Sequence, residues 1–188
     1  MFNLFRPATS LMVQYAHYHR DRRNILTHLV GIPLIVMAVG MFLVEPVFTV
    51  GEYWFTLAGV FWLISTLWYL SLGALLLGVA TSAVNGALMW AAYRTPVWVA
   101  WLGWPLLQDQ PVWLLGLAVF FIGWVIQFIG HWFEGRKPAF VDDVVGLLVG
   151  PMFVVGEVLM SLGLLRRMHH ITARVLGEPL GHAHLEHE

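Results

Sequence analysis

The stretch VWLLGLAVFFIGWVIQFIG, residues 112–130, contains no charged residue and is apolar on every face of a helix. A helix rises about 1.5 Å per residue, so a segment of this length nearly crosses the roughly 30 Å hydrocarbon core of a bilayer. A transmembrane β-barrel would instead require strands of alternating polarity. The stretch therefore predicts a membrane-spanning α-helix.

The composition extends this prediction to the whole chain. Of the 188 residues, 59% are hydrophobic and 11% are charged, which leaves too little polar surface for a soluble domain. Between residues 29 and 130 the charged residues lie near the ends of apolar runs, as the cost of burying a charge in lipid requires. The sequence predicts an all-α fold: one polytopic helical membrane bundle covering residues 1–188, embedded in the lipid bilayer.

The apolar runs and their breaks suggest the individual elements. Asp21 suits the N-cap of the first span, and the segment 95–111 is too short and too rich in Pro and Trp to cross, so it reads as re-entrant or interfacial. We expect an interfacial helix at 10–20, four full spans at 21–44, 54–70, 73–92 and 112–130, a span broken at Gly150–Pro151 within 144–165, and a flexible tail at 178–188.

Arginines orient the predicted bundle. Arg6, Arg20, Arg22 and Arg23 place the N-terminus in the cytoplasm, and four crossings return residues 131–140 to the same side. The expected location is the cytoplasmic membrane of a bacterium or the endoplasmic reticulum of a eukaryote. With a net charge of −1, the chain lacks the excess of basic residues that is typical of proteins that bind nucleic acid. It contains no cysteine, which excludes thiolate ligands and nucleophiles.

Two polar stripes fall at the same predicted membrane depth. On a helix that starts at Asp21, Asn24 and His28 share one face, and His19 can fold back over the cap. At the end of the fourth span, Gln127, His131 and Glu134 form a second stripe. Helical bundles build metal sites from facing stripes of this kind. We predict a metal site held by His19, His28 and His131, with Asn24 and Glu134 beside it.

Three other polar residues have simple structural interpretations, and a fourth does not. His17 would point away from His19 and reads as an amphipathic interfacial side chain, while Asp142 and Asp143 read as a helix cap. Glu157 lies within an apolar run and needs a partner, either Arg23 or the second ring nitrogen of a ligand histidine. We therefore group Glu157 with Asn24 and Glu134 as candidate catalytic residues.

Three sequence motifs resemble a known family. They are the spacing of Tyr15, Tyr18, His19, Asn24, His28 and Pro33, the run GWVIQFIGHWFEGRKPAFVDD, and the pair Pro151 and Glu157. The chain from about Leu11 to Leu165 resembles the small membrane proteins related to the yeast 2-hydroxy fatty acid dioxygenase of phytosphingosine breakdown. The matching histidines are His19, His28 and His131, and the matching carboxylates are Glu134, Asp142 and Glu157.

The resemblance implies non-haem Fe(II) as cofactor, with a 2-hydroxy fatty acid and dioxygen as substrates. The product would be a fatty acid one carbon shorter, and the acyl chain would lie between the apolar spans. Imidazole and carboxylate ligands suit such a site. Cationic side chains near its mouth would meet the substrate head group, namely Arg22, Arg23, Arg136 and Lys137.

Two other function classes stay open on the sequence. A Zn-dependent membrane lipid hydrolase could use the same histidines and carboxylates to activate water. A non-enzymatic membrane scaffold could use the polar clusters only to pack its helices. A homo-oligomer is compatible with either class.

Overall fold

The computed structural model of this chain describes residues 6–45, 47–136, 138 and 145–177. Within these residues the chain is a helical membrane bundle with one short β-hairpin. The elements, in chain order, are α1 (Ala8–Ala16), α2 (Arg22–Leu43), β1 (Val47–Val50), β2 (Tyr53–Thr56), α3 (Leu57–Ser71), α4 (Leu75–Tyr93), α5 (Thr95–Leu102), α6 (Pro105–Gln108), α7 (Val112–Glu134), α8 (Gly146–Ser161) and α9 (Arg166–Leu176).

Three helices of the described chain are long and apolar enough to cross a bilayer. They are α2, α4 and α7, and a fourth crossing results if α8 and α9 together form one bent span. Apolar side chains cover the outside of the bundle, among them Ile64 and Leu67, each 62% exposed. Such a surface suits a lipid environment and confirms the predicted helical membrane bundle.

Helix α2 packs along α7, and glycines allow the two backbones to approach closely. A Cβ added to Gly123 would lie 2.8 Å from Ile35 Cγ1 and 3.0 Å from the Gly31 carbonyl oxygen. A Cβ on Gly130 would lie 2.5 Å from Asn24 Oδ1. Small residues commonly permit such contacts between membrane helices. The α2–α7 pair is therefore the framework that sets the distance between residues 24–31 and 123–131.

Helix α8 corrects one sequence prediction. The break expected at Gly150–Pro151 is wrong, because α8 runs through both residues to Ser161. Neighbouring helices in a membrane protein can compensate for the backbone hydrogen bond that a proline removes. The chain instead bends by 107° between α8 and α9, where Gly163 has a φ of 73°.

The second predicted span begins later than the sequence indicated. Residues 54–56 belong to the hairpin, in which Phe48 pairs with Phe55, and α3 starts at Leu57 after the Thr56 cap. Helix α3 has 15 residues, so it extends about 22 Å, which is short for a full crossing. Within the segment predicted to be re-entrant or interfacial, residues 95–102 and 105–108 form the short helices α5 and α6.

Helix α1 near the N-terminus is shorter than predicted, whereas helix α9 near the C-terminus was not predicted at all. Helix α1 runs from Ala8 to Ala16 rather than over 10–20, and its Leu11 and Tyr15 are buried in the protein interior. Helix α9 was not expected; it buries Met168 and Thr172, one turn apart, and packs against α1. The predicted tail, 178–188, lies outside the described residues.

We expect Gly123→Ala to destabilise the protein, because the added methyl group would lie closer to Ile35 and to the Gly31 backbone than van der Waals contact allows. Overpacking of this kind costs about 1–3 kcal/mol. Thermal unfolding in detergent would measure the loss. The control is Gly59→Ala on α3, whose added Cβ would meet only Thr56 Oγ1, at 3.8 Å. Equal melting temperatures for the two variants would contradict the close α2–α7 approach.

Candidate metal centre

Three histidines from separate parts of the chain meet in the interior. His19 lies in the turn between α1 and α2, His28 lies two turns into α2, and His131 lies in the last turn of α7. Their exposed fractions are 2%, 2% and 7%. One ring nitrogen from each can be chosen so that all three lie within 4.8 Å of one another. The structure thus brings together the three residues that the sequence predicted as ligands.

Backbone contacts determine which nitrogens of His19 and His28 carry hydrogen. Nδ1 of His19 donates to the Tyr15 carbonyl and Nδ1 of His28 donates to the Asn24 carbonyl, each over 2.8 Å. A carbonyl oxygen only accepts, so in the neutral rings both Nε2 atoms carry a lone pair. These two Nε2 atoms lie 3.0 Å apart. Two facing lone pairs at this distance repel unless a cation or a proton lies between them.

The nitrogen spacing fits ligation of one ion. Imidazole nitrogens lie about 2.0–2.1 Å from a bound metal. Two such ligands at right angles would therefore lie about 3 Å apart, close to the observed separation of the Nε2 atoms. Nδ1 of His131 is buried and has no hydrogen-bond partner among the described residues. A buried ring nitrogen without a partner is costly, and one ring nitrogen of His131 belongs to the cluster that could hold an ion.

Tyr15 and Phe153 hold the His19 ring in place. The Tyr15 ring stacks on His19 with centroids 4.2 Å apart and an interplanar angle of 3°, and Phe153 lies 5.4 Å away. Burial among these rings lowers the pKa of His19 to about 4. The imidazole is therefore neutral at physiological pH, and its Nε2 lone pair is available to a metal.

The Glu134 carboxylate, at the end of α7, is hydrogen-bonded to the turn that precedes α2. Its oxygens accept hydrogen bonds from the backbone amides of Arg20 and Asp21 at 2.8–3.0 Å. The Asn24 amide donates to the same carboxylate over 3.0 Å. These contacts fix the turn that carries His19 against the helix that carries His131. Neither Asn24 nor Glu134 contributes to the three-histidine cluster. Their hydrogen bonds suit a role in positioning the histidines.

The other predicted site residues lie around the cluster. Arg23 pairs with Asp21 at 2.7 Å and lies over the Phe133 ring at 4.4 Å. Arg136 donates to the His17 carbonyl over 2.9 Å, and Arg22 is exposed in the first turn of α2. Glu157 is half-buried on α8 and is not part of the cluster found among the described residues. Lys137, Asp142 and Asp143 lie outside the described residues.

Sequence reasoning missed the part played by Tyr15 and Phe153. Tyr15 entered the sequence analysis only as a position of the family motif, although its spacing of four from His19 is the spacing at which a carbonyl reaches a ring nitrogen. Phe153 gave no local signal, because its contact with His19 joins α8 to a turn more than a hundred positions earlier. His17 is exposed and lies outside the cluster, in line with its interpretation as an interfacial side chain.

A small cavity opens beside the histidines. Its volume is about 60 Å³, and Tyr15, Gln127, His28 and His131 are among the residues that line it. The space is sufficient for a few water-sized groups next to the nitrogens. A bound ion would therefore have room for ligands that the protein does not supply.

The fold and the site define a class: helical membrane proteins with a buried three-histidine cluster that can hold a metal ion. A family model described as "2-hydroxy-palmitic acid dioxygenase Mpo1-like" matches residues 5–162. The 2-hydroxy-palmitic acid dioxygenase MPO1 of Saccharomyces cerevisiae is 31% identical over 157 residues, which cover 82% of this chain and 80% of the yeast protein. The chain belongs to the Mpo1-like family, which confirms the resemblance. No solved structure matches it.

We expect His28→Ala to remove bound metal, because His28 supplies a buried nitrogen facing that of His19. Metal content of the purified protein, measured by mass spectrometry, should fall from about one ion per chain to near none. His17→Ala is the matched control, since the His17 side chain is exposed and outside the cluster. Full metal occupancy in His28→Ala would contradict the assignment.

Glu134→Gln should weaken metal binding without unfolding the protein. The glutamine amide would direct N–H groups toward the backbone amides of Arg20 and Asp21, so part of the anchor is lost. Loss of such a supporting contact typically costs 10–100-fold in metal affinity. Metal titration would measure the change, with exposed Glu45→Gln as control. An affinity equal to that of the control would show that the anchor does not support the site.

Proposed function

We propose that this chain is a non-haem Fe(II)-dependent dioxygenase that shortens 2-hydroxy fatty acids by one carbon. The observation that carries the proposal is the buried cluster of His19, His28 and His131. The family supports the class of reaction, since the yeast relative is named a 2-hydroxy-palmitic acid dioxygenase. Three imidazoles suit Fe(II) and Zn(II) alike, so the preference for iron rests on the family.

The proposed reaction consumes one dioxygen for each 2-hydroxy acid. The bond between C1 and C2 breaks, C1 leaves as carbon dioxide, and C2 becomes the carboxyl carbon of the shortened acid. One water accounts for the remaining oxygen and two hydrogens. The substrate loses four electrons and dioxygen gains four, so the atoms and electrons balance without a further reductant.

The histidines would hold the ion through their free ring nitrogens. Bound Fe(II) would supply the open positions at which a 2-hydroxy carboxylate and dioxygen meet, as in other non-haem iron oxygenases. The carbonyls of Tyr15 and Asn24 keep the Nδ1 hydrogens of His19 and His28 turned away from the ion. Glu134 and Asn24 act as positioning residues, because their contacts hold the His19 turn.

Cationic residues would receive the carboxylate head group from the lipid surface. Arg22, Arg23 and Arg136 lie at the end of the bundle where the histidines meet, and Lys137 follows Arg136 in the sequence. A guanidinium recognises a carboxylate by a paired hydrogen-bond geometry. The positive-inside rule favours the cytoplasm for this end of the bundle. Glu157 stays a candidate carboxylate in the site.

The first experiment compares 2-hydroxypalmitate with palmitate as substrates, in detergent with Fe(II) supplied. We expect oxygen uptake and a fifteen-carbon product with the first, and no turnover of palmitate, because palmitate lacks the α-hydroxyl and cannot present a bidentate head group. Neutralising Arg136 should mainly raise the apparent KM, whereas His28→Ala should abolish the rate.

A Zn-dependent lipid hydrolase predicts a different result in the same assay. It would need no oxygen and would cleave an ester or amide lipid. Oxygen-independent hydrolysis, with no response to 2-hydroxypalmitate, would end the dioxygenase proposal. A protein without metal and without either activity would favour the scaffold class.

A further inference from the structure

The small cavity at the histidines adjoins a larger apolar cavity inside the bundle. The larger cavity has a volume of about 490 Å³, within the range of ligand pockets. Its wall includes Val39, Met89 and Phe120. Five residues line both cavities, which places the two spaces side by side: Ile35, Val36, Trp124, Leu147 and Pro151.

We propose that the larger cavity is an acyl-chain chamber that measures the length of the substrate. The chamber is defined by the side chains of Ile35, Val36, Val39, Met89, Phe120 and Trp124. The proposal rests on the proposed function, since it takes the carboxylate end of a 2-hydroxy fatty acid to lie at the histidines. The chain then extends from the histidines toward Val39 and Phe120.

The polar side chains in the chamber wall are few and already have hydrogen-bond partners in the protein. The Tyr69 hydroxyl donates to the Leu148 carbonyl over 2.8 Å, and the Ser65 hydroxyl donates to the Trp62 carbonyl over 2.9 Å. The Asn85 side chain hydrogen-bonds Tyr69. These hydrogen bonds are internal to the protein, and the surface that faces an occupant is mostly apolar. An apolar wall of this kind fits a hydrocarbon chain.

Two helices give the same length for the path. Along α2, His28 and Val39 are eleven positions apart, and along α7, His131 and Phe120 are also eleven positions apart. Eleven positions in a helix span about 16 Å. An extended hydrocarbon chain, with C–C bonds of about 1.5 Å, advances about 3.8 Å for every three bonds. The path therefore accommodates about 13 carbon–carbon bonds, which corresponds to an acid of about fourteen carbons.

Substitution along α2 tests the chamber. Val39→Phe should shift the preferred 2-hydroxy acid to a shorter one by about two carbons or more. Val36→Phe lies one turn nearer the histidines and should shorten it by roughly four more. Kinetics with 2-hydroxy acids of eight to twenty carbons would give the profile of each variant.

The control makes the same substitution on the lipid-facing side of the same helix. Val30 is 54% exposed, so Val30→Phe should keep the wild-type length profile. A variant that enlarges the chamber, Phe120→Ala, should improve relative turnover of longer acids several-fold. The chamber is overturned if Val39→Phe and Phe120→Ala both retain the profile of Val30→Phe.

A second measurement does not depend on turnover. Palmitate with a photoreactive diazirine at its methyl end should label residues near Val39, Met89 or Phe120, as read by peptide mass spectrometry. Excess unlabelled palmitate should reduce that labelling. Labelling confined to lipid-facing residues would overturn the chamber even in an active protein. Specific chamber labelling in a protein that oxidises no 2-hydroxy acid would instead reject the proposed function and keep the chamber.

Discussion

The site depends on the Glu134 carboxylate at the end of α7, which accepts hydrogen bonds from the backbone amides of Arg20 and Asp21 just before α2. The start of a helix presents backbone N–H groups without intrahelical partners and a partial positive charge, and a carboxylate satisfies both. Glu134 lies near this helix start, accepts from the amide of the N-cap residue Asp21, and comes from more than a hundred positions later in the sequence. Because His131 lies three residues before Glu134 and His19 lies one residue before Arg20, the same contact brings the two imidazoles together.

The bilayer explains why this polar assembly lies within the first two turns of α2 and the last turns of α7. Backbone and side-chain polar groups without partners are costly in hydrocarbon. The site satisfies most of its polar groups internally through carbonyls, the Glu134 carboxylate and the Asn24 amide. Toward the middle of the bundle, the walls become apolar at Val36, Val39 and Phe120. The polar cluster thus lies near one end of the bundle, and an apolar cavity lies nearer its middle.

The sequence predicted the parts whose signals are local. The long apolar runs indicated α2, α4 and α7, and the periodicity of Asn24, His28, Gln127 and His131 indicated the two faces that meet. The hairpin at 47–56 and the bend at 162–165 were missed, because strand pairing and helix direction depend on contacts with distant residues. Helix α9 was missed because its arginines and histidines conceal the small apolar face that packs on α1. The contact of Phe153 with the stacked Tyr15 and His19 rings likewise depends on α8, which is distant in the sequence.

The separation of the histidines along the chain has a consequence for biosynthesis. His19 and His28 leave the ribosome together, whereas His131 follows more than one hundred positions later. At about 5–20 residues per second, that interval lasts on the order of five to twenty seconds. During this time α2 carries His28 and Asn24 without α7 beside it. The complete nitrogen set exists only after α7 has been synthesised, so any ion held by all three histidines would be acquired late in maturation, and a nascent chain arrested before residue 131 would carry two of the three histidines.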